Sequence, residues 1–188
     1  MRSILPPQLD VHYTSDWDGP MDGASIAEGD LEGYGLFPTW QIESDNEFWR
    51  RPLKLGEIGC AVSHWLCWQR SLESRDDLFL YLEDDVELAD GFLDKLDDSL
   101  ARLTAFDPQW DLLYLGRHPK APDQPALHGI VRPGYSWCAH GYMLARRGVE
   151  KVVGTRFDRD LMPVDEFLPA LYVDHEREDI RQRYPKVL

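Results

Sequence analysis

Regular alternation of apolar and polar positions begins only after residue 55 of the chain. From Gly56 the apolar side chains recur at helical spacing through GEIGCAVSHWLCWQRSLES, and five of them share one face: Ile58, Ala61, Val62, Trp65 and Leu72. We therefore predict a helix that begins at Gly56. Glu57 lies in its first turn, where the positive end of the helix dipole favours a carboxylate.

Two short apolar runs follow and predict strands on either side of a second helix. Leu78–Leu82 and Asp111–Gly116 have the length and composition of buried strands. Asp90 is placed to cap the intervening helix, whose apolar residues are Phe92, Leu93, Leu96, Leu100 and Leu103.

The last part of the chain predicts a loop, a strand, a turn and two short helices. Prolines indicate the loop, and Pro169 lies inside the final helix. The predicted elements are the loop Pro119–Pro133, the strand Gly141–Ala145, a turn at Arg146-Arg147-Gly148, and helices over Val149–Val153 and Phe167–Tyr172.

The order of these elements predicts a single α/β domain over residues 1–188. Alternating helices and strands are typical of a largely parallel sheet. Residues 1–55 are rich in Gly, Pro and Asp and predict a loop-rich N-terminal part, whereas residues 56–175 form the core that carries the motifs. No long apolar run opens the chain, so we expect the first strand of such a sheet to be absent.

Charge narrows the range of partners. The chain has 34 acidic and 20 basic residues and a net charge of −14, so it repels nucleic acid and anionic lipid. An anionic substrate would need a basic pocket or a bridging cation. No apolar run reaches the length of a membrane span, and the N-terminal MRSILPPQLDVHY lacks the apolar centre of a signal peptide.

The three cysteines, Cys60, Cys67 and Cys138, form no CxxC pair. Their odd number and wide spacing predict reduced, mostly buried thiols and disfavour a zinc site. Reduced thiols fit a cytoplasmic location, which we take as the expectation.

A first candidate for chemistry is the acidic group in LFLYLEDDVE. Like charges at Glu83, Asp84 and Asp85 repel one another unless a cation lies among them. In an extended chain Glu83 and Asp85 point to the same side, where they would supply half of a magnesium or manganese site at the end of the predicted strand. The alternative is a solvated acidic turn.

A second carboxylate pair, Asp165 and Glu166, lies between apolar residues in LMPVDEFLPALY. Either could serve as a catalytic base towards a substrate hydroxyl. The alternative is a helix start, where carboxylates oppose the helix dipole.

Further candidates are weaker when taken one at a time. His64 follows Ser63 on the predicted helix, but neighbouring helical residues point about 100° apart, so a Ser–His nucleophile pair is disfavoured and a structural histidine is the simpler reading. Arg117 and Lys120 could bind a diphosphate or lie in a basic surface loop. Aromatic residues could stack on a sugar or uracil ring or belong to the core; they are Tyr135, Trp137, His140 and Tyr142.

Five segments in their order and spacing resemble glycosyltransferase family 25, which contains lipooligosaccharide and procollagen galactosyltransferases. They are GEIGCAVSHWLCW, LFLYLEDDVEL, WDLLYLGR, SWCAHGYMLARRGVEKVV and LMPVDEFLPALY. The resemblance covers residues 22 to about 175. It implies a GT-A fold, a Rossmann-like sheet that binds a nucleotide-sugar.

The resemblance also implies a UDP-sugar donor, usually UDP-galactose, and a divalent ion, commonly Mn²⁺. Glu83-Asp84-Asp85 corresponds to the family's metal-binding motif, and Asp165 or Glu166 to its acceptor side. The segment near the donor site corresponds to Gly56, Glu57, Gly59, Cys60, Ser63 and His64. Arg117 would then help to bind the donor diphosphate, and Trp137 would stack on the sugar or on the uracil ring.

The resemblance leads to one main hypothesis and two alternatives. The main hypothesis is transfer of a hexose, preferably galactose, from a UDP-sugar to a hydroxyl of a glycan or of a hydroxylysine-type protein acceptor. Because the family's opening strand and its C-terminal elements are not found here, a non-catalytic binding or partner module is the first alternative, and the exposed edge would then allow a homo-oligomer. A metal-dependent phosphohydrolase is the second.

Overall fold

The computed structural model describes residues 10–17 and 22–188. The expectation that MRSILPPQLDVHY is not a signal peptide therefore falls mostly outside the described residues, as do residues 18–21. The described residues before 55 contain two short 3-10 helices, Thr14–Asp16 and Glu28–Leu31. This part nevertheless supplies core residues that the polar pattern did not predict: Phe37, Trp40 and Trp49.

Both long helices form where the apolar spacing predicted them. Helix α1 spans Leu55–Glu73 and helix α2 spans Phe92–Phe106. The predicted cap of α2 is wrong by one residue, because Gly91 and not Asp90 takes the N-cap position. Gly91 has a φ of 66°, a left-handed conformation that glycine adopts without steric cost.

Five strands are described. Strand β1, Leu78–Leu82, has the predicted bounds, although only Tyr81 is fully buried in it. Strand β2, Leu112–Pro119, and strand β5, Ser136–Ala145, both extend beyond their predictions. The predicted loop 119–133 is wrong in part, since it contains a hairpin of β3, Gln124–Leu127, and β4, Ile130–Arg132.

The main sheet has the order β1–β5–β2 and is antiparallel, so the expected parallel sheet is wrong. Strands β1 and β2 do run in the same direction, with α2 connecting them, but β5 returns between them in the opposite direction. The connection from β2 to β5 holds a hairpin instead of the helical crossover that a parallel neighbour requires.

The sheet separates two apolar layers. On one face, α1 and the later helices pack against Tyr81, Tyr142 and Leu144 in the larger core. On the other face, α2 packs against Met143 in a smaller core that also contains Leu96, Leu103 and Trp110. Alternation along β5 sends Tyr142 and Met143 to opposite faces, as a pleated strand requires.

Three short helices complete the chain: α3, Arg146–Gly154, α4, Val164–Ala170, and α5, Glu178–Arg183. The turn predicted at 146–148 is wrong, because these residues are the first turn of α3. The buried carboxylate of Asp111 accepts hydrogen bonds from Arg147 Nε (2.8 Å) and Lys151 Nζ (2.6 Å), which fixes the helix against the start of β2.

Candidate functional site

Four residues from three elements meet beyond the carboxyl end of β1. Cys60 and His64 come from α1, Glu83 follows β1, and Asp165 lies in the first turn of α4. We call these four residues the convergence site. The sequence segments that suggested chemistry separately therefore contribute to one place in the fold.

Cys60 and His64 share one face of α1 because they are four residues apart. One ligand atom each from Cys60, His64 and Glu83 lies within 4.8 Å of the other two. Thiol, imidazole and carboxylate are all metal-ligating groups, so these side chains could hold a cation.

His64 is held by hydrogen bonds inside the core. Its Nδ1 lies 2.7 Å from Tyr142 Oη, which also accepts a hydrogen bond from Trp68 Nε1 at 2.9 Å. Burial lowers the pKa of His64 to about 4, so the imidazole is neutral at physiological pH. His64 thus has the structural role that the sequence favoured. Its second ring nitrogen, Nε2, is not used in this contact and could bind a ligand at the convergence site.

Glu83 continues the ladder of β1 for one more bond, since its backbone N donates to His140 O at 3.1 Å. Its carboxylate lies 3.3 Å from His140 Nδ1. Asp84 and Asp85 then form an exposed turn, so the extended alternation that would place Asp85 beside Glu83 ends before it reaches Asp85. The carboxylate of Glu83 lies in the convergence site. Metal binding by Glu83 and by Asp85 stays a prediction.

Asp165 is the second carboxylate of the site. Its Oδ1 accepts a hydrogen bond from Ala139 N at 3.1 Å. Burial and the nearby charge of Glu83 raise its pKa. Cys138, which precedes Ala139 on β5, has a φ of 64°. This conformation is strained for a non-glycine residue and is typical of functional sites.

Glu166, although adjacent in sequence, lies in a different environment. It is 5% exposed and accepts hydrogen bonds from Tyr135 Oη and His175 Nε2, both at 2.7 Å. Arg177 N donates to His175 Nδ1 at 3.0 Å, which assigns the proton of this histidine to Nε2. We call Tyr135, Glu166, His175 and Arg177 the tethering network.

Two predicted substrate-binding side chains have internal ionic partners. Glu57 accepts two hydrogen bonds from Arg51 (2.6 and 2.8 Å) and one from Lys54 N, and although burial opposes it, these bonds lower its pKa. Arg117 donates to Asp123 Oδ2 at 2.5 Å and to Ser136 Oγ at 2.8 Å. The structure therefore uses both side chains to hold loops and helix ends.

The other predicted binding residues lie around the site without forming one surface. Gly56 is exposed at the start of α1, and Ser63 is half-buried beside His64. Trp137 packs edge-on against Phe48 with centroids 5.3 Å apart, and Lys120 Nζ lies 4.1 Å from its ring centre. The predicted aromatic wall is thus divided, because Tyr142 belongs to the core.

The family resemblance placed Cys60 near the donor site, but a metal-ligating role for its thiol was not predicted. We expected mostly buried cysteines, but Cys60 is exposed, and the other two are half-buried. Desolvation at the site, with the nearby charges of Glu83 and Asp165, raises the pKa of the Cys60 thiol to about 12. The spacing of four between Cys60 and His64 was the available signal.

Comparison with known proteins indicates a family for the chain. The family model described as "Glycosyltransferase family 25 (LPS biosynthesis protein)" matches residues 38–133, just over half of the chain. No helix in residues 10–17 and 22–188 is long and apolar enough to cross a membrane.

Curated relatives match most of the chain. It is 33% identical to human Procollagen galactosyltransferase 2 over 191 residues, covering 98% of the chain and 29% of that protein. It is 28% identical to zebrafish (Danio rerio) Procollagen galactosyltransferase 1 over 173 residues, covering 88% and 28%. It is 31% identical to human Inactive glycosyltransferase 25 family member 3 over 156 residues, covering 81% and 26%.

The chain therefore spans less than a third of the length of these relatives. Their names give no support to the cytoplasmic location expected from the cysteines. The family match and the long alignments together carry one conclusion: the chain belongs to glycosyltransferase family 25.

Proposed function

We propose that this chain acts as a glycosyltransferase that moves a hexose, preferably galactose, from a UDP-sugar to a hydroxyl of a glycan or of a hydroxylysine-type protein side chain. The convergence of Glu83 and Asp165 beside α1 carries this proposal. Two carboxylates that face each other, one with a raised pKa, are typical of a site that receives a cation and a proton. Single-domain organisation and the GT-A class of fold belong to the same proposal.

A divalent cation such as Mn²⁺ fits the carboxylates of this site. Glu83 would hold it, with Asp165 facing it and Asp85 in the adjacent turn as a further oxygen donor, and such oxygen ligands suit Mn²⁺. When bound, the ion would supply a Lewis acid for the charge that develops on a departing diphosphate. The chain's net charge of −14 is a reason for such an ion beside an anionic donor.

Asp165 is our proposed base towards the acceptor hydroxyl. Burial, the first cause of its raised pKa, makes its carboxylate a stronger base than that of an exposed aspartate. Ala139 N fixes one carboxylate oxygen and leaves the other for the proton. Glu166 fits this role less well, because Tyr135 and His175 already donate to it.

Measurement of UDP release tests the proposal. The chain is incubated with Mn²⁺, UDP-galactose or UDP-glucose, and either a glycan or a hydroxylysine-containing peptide. We expect Asp165→Asn to lower turnover about 10²–10⁴-fold, the usual contribution of a general base. The exposed Asp174→Asn serves as the matched control and should keep wild-type turnover. Loss of turnover in Glu166→Gln with full turnover in Asp165→Asn would overturn our assignment of the base.

A non-catalytic binding module is the second candidate. The internal ion pairs of Glu57 and Arg117 favour it, since two side chains expected at the donor are already engaged. One of the relatives is also named inactive. UDP binding without UDP release at any Mn²⁺ concentration, with every acceptor, would favour this module over the enzyme.

A further inference from the structure

We propose that Cys60, His64 and Glu83 form a binding site for a zinc-class transition metal. The sequence disfavoured such a site because the cysteines are not paired with one another. The fold supplies different partners, since it places the carboxylate of Glu83 opposite the Cys60–His64 face of α1. This inference does not depend on sugar transfer and shares only Glu83 with the proposed function.

The geometry of the three side chains suits zinc. Their ligand atoms lie within 4.8 Å of one another. A tetrahedral zinc ion with bonds of about 2.0–2.3 Å holds its ligands roughly 3.3–3.8 Å apart, so side-chain adjustments of at most about 1.5 Å close the set. Three protein ligands leave one position for water or a substrate oxygen, as in catalytic zinc sites.

The donor types point to zinc and away from Mn²⁺. A thiolate and an imidazole are the preferred ligands of Zn²⁺ and Co²⁺, whereas Mn²⁺ prefers oxygen. Glu83 would therefore belong to two ligand sets of different character. Zinc binding would exclude Mn²⁺ from Glu83, and only this consequence rests on the proposed function.

Outer partners already orient two of the three ligands. His64 Nδ1 lies within hydrogen-bond distance of Tyr142 Oη (2.7 Å), and when Nδ1 carries the proton and donates to this hydroxyl, Nε2 is left as the ligating nitrogen. Glu83 lies 3.3 Å from His140 Nδ1 on its other side. Metal-ligating histidines and carboxylates usually have such partners, which fix the ring or the carboxylate before the ion arrives.

Titration of the metal-free chain with Co²⁺, followed by Zn²⁺, tests the site. We expect a thiolate-to-cobalt charge-transfer band in the near ultraviolet that one equivalent of Zn²⁺ abolishes. Cys60→Ser should lose this band and bind Zn²⁺ more than about 100-fold less tightly. Loss of a residue that only hydrogen-bonds to a metal ligand typically lowers metal affinity about 10–100-fold, and loss of a ligand itself should lower it further. Glu83→Gln, on another element, should weaken zinc binding but keep the band at higher Co²⁺ concentration.

Two matched variants control for the other thiols. Cys67→Ser and Cys138→Ser should both keep the band and the zinc affinity, and circular dichroism establishes that each variant is folded. Absence of the band in the wild type, its loss in Cys138→Ser, or unchanged zinc affinity in folded Cys60→Ser would overturn the proposal.

Discussion

The convergence site and the tethering network are adjacent, but the surroundings of their carboxylates are opposite in character. In the tethering network, Glu166 receives two hydrogen bonds and is almost fully buried. In the convergence site, Asp165 faces the carboxylate of Glu83, and this repulsion helps to raise its pKa. The difference shows which carboxylate the fold uses for its own stability and which it leaves for a ligand.

The orientation of α4 produces this difference. Successive residues of a helix point about 100° apart, so Asp165 and Glu166 leave the first turn in different directions. Asp165 points towards Ala139 on β5, whereas Glu166 points towards His175 behind the helix. One substitution on each side therefore separates a structural role from a functional one.

The largest effect on stability is expected for Glu166→Ala. The substitution leaves the buried donors of Tyr135 and His175 without their acceptor, and each such group costs about 1–3 kcal/mol. We expect the free energy of unfolding to fall by about 3 kcal/mol in urea denaturation. Asp165→Ala is the matched control, and a loss as large as that of Glu166→Ala would remove the distinction between the two regions.

A smaller loss is expected for Tyr142→Phe, which attacks the support of the convergence site. The hydroxyl links Trp68 Nε1 and His64 Nδ1 inside the core. Its removal leaves a buried indole donor unpaired, at a cost of about 1–2 kcal/mol in the free energy of unfolding. No change in the urea midpoint would mean that His64 is positioned without this hydroxyl.

The pH dependence of stability tests the raised pKa of Asp165. Because the pKa of Asp165 is raised in the folded chain, its contribution to stability is complete below the ordinary value of 3.8 and is lost as pH rises through the folded pKa. Asp165→Asn cannot ionise, so we expect it to be more stable than the wild type at pH 7 and equal to it near pH 3. Urea denaturation at both pH values measures this difference, and equal stability at pH 7 would contradict the raised pKa of Asp165 that burial and the charge of Glu83 produce.

The smallest effect on stability is expected for Asp85→Ala. Asp85 lies in an exposed turn, and substitutions at such positions usually change stability by less than about 0.5 kcal/mol. Any weakening of Mn²⁺ binding in this variant would therefore report on the ion and not on the fold. A marked loss of stability would instead show a structural role for the turn.

The amino-acid sequence predicted the elements of the core better than their arrangement. Apolar spacing located α1 and β1 within one residue, because both bury a continuous apolar set. The direction of β5 was missed, since antiparallel return depends on the hairpin between β2 and β5 and not on the strand itself. The tryptophans of the N-terminal part were also missed, because isolated apolar residues in a loop carry no period.

The site was predicted as separate segments and not as an arrangement. The carboxylates were predicted as two pairs, Glu83 with Asp85 and Asp165 with Glu166. The partners of Glu57, Arg117 and Glu166 depend on residues distant in sequence or on loop conformation. A zinc site was disfavoured because the cysteine nearest to Cys60 is seven residues away, and Glu83 comes close to Cys60 only through folding. Pairing of charges is thus the part of the site that the sequence alone does not determine.

Calorimetric titration with UDP in the presence and absence of Mn²⁺ tests most directly whether Glu83 holds the cation of a nucleotide-sugar site. The wild type and the matched, exposed variant Glu87→Gln should bind UDP only when Mn²⁺ is present, whereas Glu83→Gln should show no binding under either condition. UDP binding by Glu83→Gln with wild-type affinity, or wild-type binding that is indifferent to Mn²⁺, would contradict the account.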